Sequence, residues 1–146
     1  MKKFLILAIL AIMAVGTAEA QIQIGKKNDK VETLGSVRMG AISLKYGFGD
    51  YYISGSTTNQ FDDPVIINLG ETIDQANESF AGLLSLYELK NGETTTIKDI
   101  SGHEWYVGKF GGVGKGTLSF DSNSEVQAGV FTIHRAEMVN LQKKLK

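Results

Sequence analysis

The chain has 146 residues, 42% of them hydrophobic, a formal net charge of −1 and a single proline, which suits one domain with its own hydrophobic core. It contains no cysteine, and this excludes disulfide staples, thiolate metal sites, a cysteine nucleophile and a lipid-modified cysteine anchor. The charge balance lacks the basic excess or stripe through which proteins commonly engage nucleic-acid phosphates.

In chain order, the first element is an export signal over residues 1–20. Lys2 and Lys3 charge the amino end, Phe4 to Val15 is an unbroken apolar run, and Ala18 and Ala20 put small residues where a signal peptidase reads. The run covers 12 residues, whereas a membrane-spanning helix needs about 20. Cleavage is expected before Gln21, releasing a mature chain without a membrane span to the periplasm or the exterior. Loss of Lys2, Lys3 and Glu19 leaves 13 basic and 15 acidic side chains. Small exported animal domains usually rely on disulfides, so the missing cysteines favour a bacterial source.

Residues 21–30 read as a polar, flexible leader with Lys26, Lys27 and Lys30. A single α+β domain is expected over residues 31–146. Val37, Met39 and Ala41 alternate in one phase and Ile42, Leu44 and Tyr46 in the other, so a β-bulge is predicted at Gly40-Ala41. Gly47-Phe48-Gly49-Asp50 turns the chain into a strand that starts at Tyr51-Tyr52-Ile53. A polar loop from Ser54 to Asp63 leads through Pro64 to a short buried strand, Val65–Leu69.

A helix then starts at Thr72, with Gln75 placed to complete a capping box. Ile73, Ala76, Phe80, Leu83, Leu84 and Tyr87 recur at spacings of three and four and define its core face, and Asn91-Gly92 ends it. Four more strands are predicted at Thr94–Ile100, Glu104–Phe110, Gly116–Asp121 and Val126–Ile133. Turn residues separate them at Ser101-Gly102, Gly111–Gly114 and Asp121–Ser124. A closing helix from Arg135 to Leu145 presents Met138, Leu141 and Leu145. The plan is strands, helix, strands, helix: antiparallel β-rich sheets with two amphipathic helices, in two similar halves. Val65–Leu69 before the first helix parallels Val130–His134 before the second. This order resembles the doubled strand-and-helix plan of some single-stranded nucleic-acid-binding folds, the Whirly type among them. The likeness is one of topology and carries no shared motif.

The catalytic motifs fail on spacing. In Gly108–Thr117 a phosphate loop would need glycine where Lys109 stands and a hydroxyl where Gly116 stands, and a strand follows instead of a helix. His103-Glu104 lacks the second histidine of a zinc-protease helix, since Val107 holds that place. His103 and His134 would hold zinc only by meeting in space with Asp99 or Glu104; no metal or other cofactor is expected. Gly-x-Ser-x-Gly does not occur, and Ser54-Gly55-Ser56 lies in a loop. Asp50, Asp62, Asp63 and Asp121 are candidates for a carboxylate pair, but spacing selects none. Asn77-Glu78-Ser79 matches a glycosylation acceptor inside a helix. The lysine tail at Lys143, Lys144 and Lys146 is expected to complement the negative end of the last helix.

The aromatic turn is the one candidate contact surface. Tyr46, Phe48, Tyr51 and Tyr52 fall within seven residues. The run begins like the aromatic strand of RNA-recognition modules and departs at Asp50. Gly47 and Gly49 leave Phe48 unshielded, one of Tyr51 and Tyr52 must face outward, and Lys45 and Asp50 are expected to form a polar rim. The leading expectation is therefore a non-enzymatic, exported binding module with a protein or glycan partner. A small hydrolase with a carboxylate or histidine site is the alternative, and a nucleic-acid binder comes third.

Overall fold

The computed structural model describes residues 30–57, 63–111, 116–123 and 128–146. The export signal with Ala18, Ala20 and Gln21, residues 21–29 of the leader, most of the loop before Pro64, the centre of the glycine run and the turn after Asn123 lie outside the described residues.

Two antiparallel meanders carry the domain, and a helix follows each. The first joins β1 (Glu32–Val37), β2 (Ile42–Gly47), β3 (Asp50–Gly55) and β4 (Val65–Gly70), and α1 (Ile73–Ser85) follows. The second joins β5 (Thr94–Lys98), β6 (Glu104–Lys109), β7 (Thr117–Asn123) and β8 (Ala128–His134), and α2 (Arg135–Gln142) follows. This is the α+β architecture, with the order strands, helix, strands, helix, that the alternation of patterns predicts. Among the described residues no helix is long and apolar enough to cross a membrane.

The core is one continuous cluster fed by every layer. Ile42, Leu44, Ile53, Ile67 and Leu69 come from the first sheet, and Trp105, Val107, Leu118, Phe120 and Ile133 from the second. α1 adds Ala76, Phe80 and Leu83, and α2 adds Met138 and Leu141. The sheets approach so closely at Gly55 that a Cβ there would stand 2.6 Å from the ring of Phe131. That ring stacks on Phe120 at 5.3 Å and meets the edge of Trp105 at 6.4 Å. Such aromatic pairs add to the area they bury. Behind α1, the Tyr87 hydroxyl donates to the Ile133 carbonyl at 3.0 Å, and burial pushes its phenol well above the ordinary value. One buried bond thus ties the end of the first helix to the last strand.

Several sequence expectations are corrected. No bulge sits at Gly40-Ala41, because the chain reverses there. Arg38, Met39 and Gly40 take φ values of 51°, 55° and 89° in a tight 3-10 turn between β1 and β2. The apolar alternation jumps across that turn, which makes two strands look like one with a phase slip. The register shifts occur instead at Thr33/Gly35 and at Tyr51/Tyr52. α1 stops at Ser85 and continues as a 3-10 turn over Leu86–Glu88, which still buries Tyr87. Leu84 is half-buried and Ile73 exposed, so the packed stripe is narrower than the periodic one. α2 ends at Gln142, and Leu145 reaches the core from beyond it.

Candidate functional site

The β2–β3 hairpin presents the aromatic residues. Its closing pair is Gly47 and Asp50, which leaves a loop of only two residues, Phe48 and Gly49. Their φ values are 56° and 88°, the doubly left-handed arrangement that suits the twist of flanking strands and is ordinarily supplied by Asn-Gly. A phenylalanine there is uncommon, since its Cβ crowds the backbone in this region. Phe48 is also 70% exposed. It therefore carries backbone strain and returns little burial.

The pleat then sorts the remaining residues. Tyr46 pairs with Tyr51 across the hairpin, and their rings lie 4.7 Å apart at 47°. They extend the face that carries Leu44 and Ile53. Lys45 pairs with Tyr52 on the opposite face. Tyr52 is buried, which raises its phenol above the ordinary value. Asp50 accepts from Asn68 Nδ2 at 3.0 Å. The rim expected from Lys45 and Asp50 therefore does not lie beside Tyr46 and Tyr51. Residues from elsewhere take its place: Glu32 and Thr33 of β1 and Lys144 and Lys146 after α2 close a cleft of about 500 Å³ around the two tyrosines. Sequence reasoning missed these lysines because nearly a hundred residues separate them from Tyr51. The one local sign was Gly35 in the middle of a strand.

Other chemistry-bearing residues are engaged in structural work. His103 Nε2 meets Ser122 Oγ at 2.6 Å, a pairing that a nucleophile and its base would show. Ser122 is only 1% exposed, however, and Asp99 accepts from the backbone N–H of His103 at 3.1 Å rather than from its ring. Asp99 also accepts from Ser101, from the backbone N–H of Asn68 and from Trp105 Nε1. It is the lock of the β5–β6 turn. His134 caps α2, its Nδ1 accepting from Ala136 N at 3.3 Å. Among the described residues no three His, Cys, Asp or Glu side chains are arranged to hold a metal ion. A second groove, of about 320 Å³, runs between α1, β4 and β5 and is lined mainly by Ile67, Leu69, Leu83, Leu86, Ile97 and Ile100.

Set against models of known families, against curated proteins and against solved structures, the chain matches none.

Proposed function

We propose that this chain is an exported, non-catalytic binding module that engages a protein or glycan partner with the β2–β3 hairpin end. One observation carries the reading: Phe48 stands exposed in a left-handed two-residue turn. Backbone strain that the fold does not need is found preferentially where a site does, and exposed aromatics are the commonest anchors of contact surfaces. Export is supported by the charged end, apolar run and small residues of positions 1–20. Binding is favoured over hydrolysis because Ser122, the serine that meets His103, is enclosed.

Phe48→Asn tests the contact surface. Asparagine tolerates the left-handed region, so the variant is expected to melt at or slightly above the wild-type temperature while losing capture of the partner drawn from envelope extract. Capture that survives in Phe48→Asn, with folding intact, would rule the hairpin tip out. Intact mass of the exported chain tests the export reading: it should correspond to a start at Gln21.

A further inference from the structure

We infer that the cleft between the Tyr46/Tyr51 pair and the lysines after α2 binds a sugar ring bearing a carboxylate, as one unit of an acidic polysaccharide. The inference rests on the reading of this end of the domain as its contact surface and names a ligand chemistry for it.

The donor set comes first. Tyr46, Tyr51, Lys144 and Lys146 line one cleft and carry two phenol hydroxyls and two ammonium groups. Among the described residues none of the four has a hydrogen bond or ion pair. Four unengaged donors favour a ligand rich in acceptors, and the two ammoniums favour one with negative charge. Lys144 is also held in place. A Cβ on Gly35 would stand 2.5 Å from Lys144 Cγ, so the aliphatic stem lies against the β1 backbone and carries its charge toward the cleft. Gly35 is thus the residue whose missing side chain admits that stem.

The remaining features choose among anions. Tyr46 is exposed beside Tyr51, and an exposed aromatic ring offers an apolar face of the kind that packs against the C–H face of a pyranose. Glu32 adds one carboxylate acceptor to the same cleft. Its charge disfavours any anion placed against it, but a sugar brings hydroxyl donors that it can accept from, whereas a phosphate chain offers it none. A polyphosphate backbone also calls for a basic stripe, and the mature chain has 13 basic against 15 acidic side chains. An acidic peptide would satisfy the lysines and leave both Glu32 and the ring faces without use. A cleft of about 500 Å³ suits a ligand of one or two rings.

The test titrates the full chain with oligogalacturonate, its methyl ester, poly-glutamate and oligo-dT, followed by calorimetry and by the tyrosine NMR signals. Oligogalacturonate should shift Tyr46 and Tyr51. Esterification of its carboxylates should weaken binding about tenfold or more. Lys144→Gln should cost about the same factor without moving the melting temperature appreciably, and so should Tyr46→Ala, where a melting curve separates lost binding from the lost cross-strand ring contact. Gly35→Ala, which displaces the lysine stem, should reduce affinity, and a matched melting curve separates that effect from unfolding. Equal affinity for ester and acid, tighter binding of poly-glutamate or oligo-dT, or an unaffected Lys144→Gln would each overturn the inference. Loss of partner capture in Phe48→Asn together with no uronate binding would sink this inference alone. Lysine-dependent uronate binding with capture intact in Phe48→Asn would sink only the role of the hairpin tip.

Discussion

α1 and α2 each follow the fourth strand of a meander and each begin in a reciprocal capping box, yet the two boxes are built from different chemistry. At α1, Thr72 Oγ1 accepts from Gln75 N at 3.2 Å, and Gln75 Oε1 accepts from the backbone of Thr72 and Glu71. All of it is neutral and lies within five residues. At α2, Glu137 Oε2 accepts from the backbone N–H of His134 at 2.9 Å. The same carboxylate receives Arg38 from the β1–β2 turn through two bonds, at 3.2 and 2.6 Å, and that guanidinium also donates to the Thr132 carbonyl at 3.1 Å. The first cap is local, and the second is a clasp between the two halves. Repetition of a topological plan therefore need not repeat its energetics. A charged residue at the same place in the second helix makes its start depend on a turn nearly a hundred residues away.

The largest effects should come from residues both halves share. Phe80→Ala empties a fully buried site under α1 and should cost about 3–5 kcal/mol. Met138→Ala under α2 should cost about 2–5 kcal/mol. Urea titrations followed by circular dichroism should give one cooperative transition for each variant. Two separated transitions would show the halves to be independent units and would dissolve the comparison. Tyr87→Phe, which removes the hydroxyl donor from the Ile133 carbonyl, should cost about 0.5–1.5 kcal/mol in the same titrations.

Smaller effects distinguish the caps. Thr72→Ala should cost about 1 kcal/mol. Glu137→Ala should cost about 1–2 kcal/mol, since it removes a capping partner and a half-exposed ion pair that is itself worth at most about 1 kcal/mol. A double variant of Arg38 and Glu137 tests the clasp: if the single losses simply add, the two side chains are not coupled.

Acid should separate the two caps further. Burial pushes the Glu137 carboxyl up, but the Arg38 hydrogen bond, the His134 backbone N–H and the Arg38 charge together outweigh it and hold the group below the ordinary 4.5. A carboxyl lowered on folding stabilises the native state fully above its unfolded pKa, and that contribution drains as pH falls through the folded value. Amide protection factors at the start of α2, corrected for the intrinsic pH dependence of exchange, should therefore fall below about pH 4.5, while the Thr72 box shows no comparable change. An equal loss of protection at both helices would mean that acid acts on the whole fold rather than on the clasp. The smallest expected effect is a gain. A Cβ on Gly82, inside α1, meets no atom of the described residues within 4 Å, so Gly82→Ala should stabilise by up to about 1 kcal/mol in thermal melts.

Much was readable from the chain itself, because patterns of period two and near four are set by backbone geometry. They located β4, α1 and the later strands within a few residues, the Thr72–Gln75 box, and the burial of Ala76, Phe80 and Leu83. Phe48 between two glycines was legible as an exposed tip for the same local reason. Tertiary structure alone decided the rest. The turn at Arg38–Gly40 leaves no mark in the pattern, because apolar alternation does not record a change of direction. The pleat and the pairing register placed Tyr46 with Tyr51 and sent Tyr52, Lys45 and Asp50 to the other face. Long-range packing brought Lys144 across Gly35 and Arg38 onto Glu137. Sequence separation carries no information about such approaches, which are decided by how two sheets and two helices bury one common core.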